Sequence, residues 1–372
     1  LLKVLVLSCN TGEGHNSAGR AIFEKLLQNG IEAEFADTLS IGSQNASLHV
    51  NRLYTNITTK TPSTFKLLYK AGSAVSRLKI KSPVYAVNKL NAKSIYTYIL
   101  RNNFHAVITS HLFPAETLTS IRKQRGKTFK FLSVATDYTC IPFWEETQPD
   151  YFIIPHSELL KEFTEKGIPK EKLLPYGIPV SDTYKTHTEK SCARRELSLD
   201  EEKTTLLLMS GSMGFGKPEA LIQALCQKFG ENTNVVALCG NNKKLENRLR
   251  TQFGSYKNVI VKGYTNRVSL YMDACDLLFT KPGGLTSTEA AVKNIPIIHT
   301  APIPGCETKN AQFFAQRYLS VYSPGDPQKT ACDAFMLLHD PQKREKMLEM
   351  QNRYIYKDAA DSIYKLLLEI CG

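Results

Sequence analysis

The sequence predicts an α/β protein with two parallel-sheet domains, and three features carry that prediction. Strand-like apolar runs alternate with helix-like amphipathic stretches through both halves of the chain, the pattern of parallel strands joined by crossover helices. Each half opens with an apolar strand that runs into a glycine-rich loop. Between the halves, residues 179–203 turn polar, charged and aperiodic, as an interdomain linker does. The chain's 372 residues supply two full cores at roughly 150 residues per domain.

Element by element, residues 3–9 read as a buried strand and 10–14 as a tight glycine loop. Residues 16–28 read as a helix ended by Gly30, and 31–37 as the second strand of a βαβ unit. Further strands are expected at 105–109, 129–135, 151–154 and 172–177, with a short helix from Leu197 to Glu202 closing the linker. In the second half strands are expected at 204–209, 234–239, 258–262, 277–280, 295–299 and 320–322. Helices near 219–229, 243–253, 267–274 and 286–293 separate them.

Composition narrows the function classes. With 42% hydrophobic and 22% charged residues the chain is of ordinary globular make-up, and no apolar run approaches the ~18 residues of a membrane-spanning helix. The nine cysteines are scattered and form no Cys-x-x-Cys pair, which points away from a disulfide framework or a zinc cage and towards a reduced, cytoplasmic setting. Leu1 leads straight into a strand, so no signal peptide is expected.

The net charge of +12 is concentrated. From Thr38 to Ala115 there is no Asp or Glu, while ten basic residues occur, among them Lys66, Lys70, Arg77, Lys79 and Lys81. Apolar residues such as Phe65, Leu68, Tyr69, Leu78, Ile80 and Tyr85 interleave with them, as in helices lying at a lipid interface. An ordinary amphipathic helix pair with a solvated basic face fits the periodicity equally, and the absence of acids favours an anionic membrane surface. No zinc-finger spacing, ribonucleoprotein aromatic motif or basic heptad supports nucleic acid as the partner.

Three loops could hold a phosphate. Gly12, Gly14 and Ser17 nearly fit a dinucleotide fingerprint, with Asp37 where a ribose acid belongs, which supports an alternative reading as an NAD- or flavin-dependent enzyme. Gly211 to Lys217, with Ser212 and Gly214, nearly matches a P-loop, but Pro218 stands where Mg²⁺ needs a hydroxyl. A diphosphate cradle or a plain tight turn remains. In Lys281-Pro-Gly-Gly-Leu-Thr-Ser-Thr-Glu289, Gly283 and Gly284 allow close backbone approach before Leu285 and Thr286 open a helix. Glu289 is either the capping-box partner of Thr286 or a carboxylate for a ribose diol.

From Thr280 to Phe314 the string Thr-Lys-Pro-Gly-Gly-Leu-Thr-Ser-Thr-Glu-Ala, then Ile-Pro-Ile-Ile and Pro-Ile-Pro-Gly-Cys-Glu-Thr-Lys-Asn-Ala-Gln-Phe-Phe, resembles a known family. Together with Gly12-x-Gly14-His15, Thr136-Asp137-Tyr138, Gly177-Ile-Pro-Val180 and Gly263-Tyr264, it is similar to glycosyltransferase family 28, the diacylglycerol glucosyltransferases and monogalactosyldiacylglycerol synthases. The resemblance implies a GT-B fold of two Rossmann-like domains facing a central cleft. Residues 1–178 would form the lipid-acceptor domain, with a carboxyl-terminal helix at 355–372 packing back on it, and residues 179–354 the donor domain. Gly263 and Tyr264 would lie near uracil, and Gly211, Ser212, Gly214 and Gly283 to Thr286 would face the diphosphate. Glu289 would take the ribose, Glu307 and Asn310 the hexose hydroxyls, and Gly12 and Gly14 the acceptor loop. The enzyme would be peripheral on the inner face of the cell membrane, moving a hexose, glucose ahead of galactose, from UDP-hexose to diacylglycerol with inversion. Relatives often carry a His shortly after Thr-Asp, where this chain reads Tyr138-Thr-Cys-Ile-Pro142.

Transfer from UDP must stabilise a departing diphosphate, and the sequence has no Asp-x-Asp to hold a metal for it. Helix N-termini and oriented amides are the remaining means, so neither metal nor cofactor is expected. Inversion needs one general base. His15 is the first candidate, since an imidazole titrating near ~6.5 accepts a proton at cytosolic pH, and Asp137 is the alternative base or the group that orients it. A non-catalytic membrane-associated UDP-sugar sensor and a UDP-sugar epimerase are the competing readings.

Overall fold

The protein is described here by a computed structural model covering residues 2–9, 13–42, 91–209 and 217–372. The chain divides into two compact units. One comprises Leu1–Ser181, Pro304–Cys306 and Tyr356–Gly372, the other Asp182–Ile303 and Glu307–Ile355. Among the described residues each contains a six-stranded parallel sheet with helices, the α/β class the sequence predicts.

In the first unit the strands are β1 (Lys3–Ser8), β2 (Glu32–Asp37), β3 (Ala106–Thr109), β4 (Lys130–Val134), β5 (Tyr151–Ile153) and β6 (Leu173–Leu174), in the order β2-β1-β3-β4-β5-β6. Its helices are α1 (Glu13–Gln28), α2 (Thr38–Gly42), α3 (Ala92–Arg101), α4 (Leu112–Arg125) and α5 (Leu160–Glu165). Val4, Leu5, Val6 and Leu7 are all fully buried, because a central parallel strand is covered on both faces and so reads as an unbroken apolar run. Val4 and Val6 pack with Ile22 and Leu26 of α1 and with Ile363, Leu366 and Leu367 of the chain's last helix. A Lys25–Asp361 ion pair of 3.0 Å joins the same two helices. Gly177 lies where this last segment returns. It has φ +101°, and a Cβ there would come within 2.9 Å of the Tyr356 Cβ, so both conformation and space demand glycine.

The second unit carries α6 (Lys190–Glu196), β7 (Thr204–Met209), α7 (Pro218–Phe229), β8 (Thr233–Leu238), α8 (Lys243–Phe253), β9 (Val259–Lys262) and α9 (Val268–Ala274). Then follow β10 (Leu277–Thr280), α10 (Gly284–Val292), β11 (Ile297–His299), α11 (Cys306–Gln316), β12 (Val321–Tyr322), α12 (Pro327–Leu338) and α13 (Pro341–Tyr354). The last helix, α14 (Ala359–Cys371), belongs to the first unit. The strand order β12-β11-β10-β7-β8-β9 reverses between β7 and β10, as the first sheet's order reverses between β1 and β3. Segments leaving the carboxyl ends of strands at such reversals open a crevice suited to ligands. Helix starts follow their local chemistry: Pro218, Pro327 and Pro341 occupy first-turn positions, and Asp326 and Asp340 cap with their carboxylates.

Three local expectations need correction. The helix placed at Leu197 to Glu202 lies earlier, at Lys190–Glu196, where the Glu189 side chain caps the Cys192 amide. Residues 197–203 turn instead, with Ser198 at φ +56°. Nor does the interdomain linker expected at 179–203 extend that far, since residues from Asp182 onward belong to the second unit. The buried Arg194 donates to the Ala274 carbonyl (3.0 Å) and the Glu201 carbonyl (2.8 Å) and bonds the Asp276 carboxylate, so the polar composition reflects internal bonding. Finally, α10 starts at Gly284 with Gly283 as its N-cap. Glu289 is therefore in the second turn, beyond capping-box reach of that N-cap.

Candidate functional site

The first unit gathers a polar cluster at the β1/β3 reversal. Because α1 begins at Glu13, Gly14 and His15 lie in its first turn and not on a loop. Gly12 lies outside the described residues. His15 Nδ1 is 2.9 Å from the Ser110 carbonyl, just after β3, and 2.9 Å from the Thr136 hydroxyl, just after β4. Ser110 Oγ donates to the His15 carbonyl at 2.8 Å. A carbonyl only accepts, so the bond to Ser110 assigns the proton to Nδ1 and the basic lone pair to Nε2. Three strand ends thus fix one imidazole in the tautomer a general base needs. The His111 ring stands edge-on to it at 4.6 Å. Burial first, and then the charge of His15, hold His111 well below the usual histidine range, and its Nδ1 accepts the Phe113 amide at the start of α4. His15 therefore rests against a neutral ring. Asp137 follows Thr136 directly and is half-buried.

The second unit builds a different chemistry at its own reversal. Gly283 (φ −71°, ψ 135°) starts α10 with no side-chain cap, so the positive end of the helix is not neutralised by its own N-cap residue. The Lys281 ammonium is ion-paired with the Glu307 carboxylate, whose other oxygen accepts the Ile303 amide at 2.8 Å. A Cβ on Gly283 would lie 3.4 Å from Lys281 Nζ and 3.8 Å from Glu307 Oε1, which puts this pair directly beside the helix tip. Asn310, fully buried, donates to the Pro282 carbonyl at 3.0 Å and holds the loop in place. Leu285 is buried and Thr286 half-buried in the first turn.

Glu289 is 7% exposed and hydrogen-bonded to Tyr184. Burial pushes its carboxyl up to about 8 against the downward pull of the Tyr184 bond. Burial, and then the Glu289 charge, push the Tyr184 hydroxyl up in turn. Gly263 follows β9, and a Cβ there would meet Glu246 Oε2 at 2.5 Å. Glycine is needed to seat that carboxylate, which Lys243 and Arg250 bind at 3.0 Å each. Tyr264 is 70% exposed. Gly211, Ser212 and Gly214, and the basic Lys66, Lys70, Arg77, Lys79 and Lys81, lie outside the described residues.

Sequence reasoning missed several of these participants. Lys281 stood inside the glycine motif without a role. Ser110 and Thr136 are generic hydroxyls whose position depends on three strands coming together. Tyr184 carries no signal, since its partner is 105 residues away.

Residues 15–180 match the family model described as monogalactosyldiacylglycerol (MGDG) synthase, and residues 205–323 match the glycosyltransferase family 28 C-terminal domain. A Staphylococcus saprophyticus protein described as processive diacylglycerol beta-glucosyltransferase is 28% identical over 320 residues, covering 85% of this chain and 79% of that one. A Staphylococcus aureus protein of the same description is 24% identical over 375 residues, covering 100% and 93%. Among solved structures, MurG of Acinetobacter baumannii matches with a TM-score of 0.62 at 15% identity over 99% of this chain and 100% of that one. A UDP-GlcNAc 2-epimerase from Neisseria meningitidis bound to UDP-GlcNAc matches with 0.65 at 14% identity, with the same coverage. These likenesses establish the GT-B fold. Transferases and epimerases share it almost equally, so the fold does not choose between them, whereas the two family models do.

Proposed function

From a chain that belongs to glycosyltransferase family 28, with an amino-terminal domain of the monogalactosyldiacylglycerol synthase type, we propose that it moves glucose from UDP-glucose to the free hydroxyl of diacylglycerol, with inversion, giving a β-glucosyldiacylglycerol and UDP. The descriptions of the staphylococcal relatives support acceptor and sugar. The observation that carries the donor half is the uncapped tip of α10 with Lys281 beside it.

In this reading the acceptor hydroxyl attacks the anomeric carbon, its proton passes to His15 Nε2, and the bond from that carbon to the diphosphate oxygen breaks with its electron pair leaving on UDP. Nδ1–H, bonded to Ser110 and Thr136, carries part of the resulting imidazolium charge. On the donor side, preorganised amides at Gly283 to Thr286 and the Lys281 ammonium meet the charge developing on the leaving diphosphate, and no metal is invoked. Releasing Lys281 to the diphosphate frees one Glu307 oxygen for a sugar hydroxyl. Asn310 supports the loop from below, and Glu289 takes the ribose diol.

Diacylglycerol stays in the bilayer, so the enzyme has to work at a membrane surface. Among the described residues no helix is long and apolar enough to span one, and the basic, acid-free run between Thr38 and Ala115 suits docking on anionic lipid. The test is incubation with diacylglycerol vesicles and each UDP-hexose in turn, with product masses read out. Monoglucosyl product from UDP-glucose supports the reading. Hydrolysis or epimerisation of the nucleotide sugar without lipid product overturns it.

A further inference from the structure

The stretch just after the chain enters its second unit is fastened to that unit at successive points. The Thr183 carbonyl accepts Ser269 Oγ (2.8 Å), the Thr186 carbonyl accepts Lys293 Nζ (2.5 Å), and the Thr188 amide donates to Asp273 (3.3 Å). Lys293 is itself closed onto Asp273 at 2.7 Å with both side chains almost fully buried. Tyr184 sits between these ties, so its hydroxyl is held against Glu289 by backbone anchors on either side. Glu289 and Lys293 are one turn apart beside the same segment, Glu289 within α10 and Lys293 at its C-cap.

Glu289 lies five residues beyond Gly284. At ~1.5 Å of rise per residue that is ~7 Å along the axis from the helix tip, a spacing that lets one nucleotide place its diphosphate at the tip and its ribose beside the carboxyl. A protonated carboxyl offers one acceptor oxygen and one donor, whereas a carboxylate accepts from both hydroxyls of a diol. We propose that Tyr184 is the positioning residue of the ribose subsite, its hydroxyl orienting Glu289 and favouring the ionised, diol-accepting form. The proposal rests on the reading of Glu289 as the ribose ligand.

The surroundings leave this work to Tyr184. Burial alone drives Glu289 towards the neutral acid, and the bond from Tyr184 opposes that drive. Tyr184 keeps its proton, because burial and the Glu289 charge both push its hydroxyl up. Lys293, a turn further on, is paired with Asp273. From β11, His299 bonds Ser287 on α10 and is pushed by burial down to about 3, hence neutral. From α13, the buried group reaching this end is the uncharged Gln351, which donates to the Ile295 carbonyl.

The test measures affinity for UDP-glucose and for its 2′-deoxyribose analogue by calorimetry from pH 6 to 8.5, in the wild type, Tyr184→Phe and Glu289→Gln. The wild type should prefer the ribose form about tenfold, as for a hydrogen bond to a charged group, with the preference growing as pH rises towards 8. Tyr184→Phe should narrow that preference severalfold at pH 7.5 and move its rise to higher pH, with kcat at saturating donor within about twofold of wild type, the expectation when only ground-state binding is touched. A preference lost in Glu289→Gln but unchanged in size and pH profile in Tyr184→Phe overturns the proposal alone. A wild type indifferent to the 2′-hydroxyl overturns the ribose reading and the proposal together.

Discussion

Replacing Glu289 by Gln should change stability in a way that depends on pH, and the size of the change follows from the site. The carboxyl is buried and its folded-state value is pushed from 4.5 up to about 8. Below 4.5 both folded and unfolded chains hold the proton and the group is neutral in its effect. Between 4.5 and 8 the unfolded chain releases the proton while the folded one keeps it, so stability falls steadily as pH rises through this window. Above 8 both are ionised and the loss is complete. At ~1.4 kcal/mol per pH unit the accumulated loss is about 3 kcal/mol at pH 7 and below about 1 kcal/mol at pH 5. Gln has nearly the same shape, keeps a bond to Tyr184 and does not titrate, so whatever its own burial costs is independent of pH. Relative to wild type, Glu289→Gln should therefore gain about 2.5 kcal/mol, roughly 5–10 °C in the second unit's melting temperature, on going from pH 5 to pH 7, at 2–4 °C per kcal/mol. Scanning calorimetry at the two pH values reads this directly. An equal offset at both would mean that Glu289 is ionised at neutral pH in the folded protein, and the reasoning would fail.

His15→Ala should lose 10²–10⁴-fold in kcat, the usual range for a general base, while calorimetry shows UDP-glucose binding unchanged; ordinary turnover would remove His15 from the mechanism. Lys281→Met should slow turnover on the order of 10²-fold through loss of charge at the leaving diphosphate, and wild-type rates would assign that role elsewhere. Converting Lys66, Lys70, Lys79 and Lys81 to Glu should abolish sedimentation with anionic vesicles at ~1 kcal/mol lost per basic residue and spare UDP binding; undiminished sedimentation would place the membrane contact in another part of the chain. A chelator such as EDTA should leave the initial rate intact, and a loss restored by Mg²⁺ would show that amides and Lys281 do not suffice.

The sheets were legible in the sequence because parallel strands are covered on both faces. Residues 204–209 and 277–280 were placed to the residue, since an unbroken run such as Thr-Thr-Leu-Leu-Leu-Met has no amphipathic alternative of that length. Edge strands were not: of the expected strand at 172–177 only Leu173–Leu174 pairs, and the remainder bends at Gly177 to make room for Tyr356. The start of α10 was misjudged by two residues because Thr286-x-x-Glu289 imitates a capping box, a local pattern, whereas the helix is entered at Gly283. That small slip hid the environment of Glu289. The partner of Lys281 lies 26 residues away and that of His15 Nδ1 lies 95 away, and no periodicity records contacts of that range.

The two units repeat one device with opposite chemistry. In each, the order of strands reverses beside the first strand of the sheet, and the segments leaving the strands at that reversal hold the candidate residues. The sequence shows no residue-level repeat, so the likeness lies in topology alone, and what differs is the side chains delivered there. The first unit brings hydroxyls and a carbonyl to one imidazole and sets a neutral His111 against it, an environment that leaves the ring able to take a proton. The second brings a helix tip and a lysine already balanced by Glu307, an environment that waits for negative charge. A buried acid at Glu289 weakens the folded state at neutral pH, the kind of cost met where stability is traded against function. If Glu289→Gln proves the more stable protein and the poorer binder of ribose, stability and nucleotide recognition will have been shown to oppose each other at a single carboxyl.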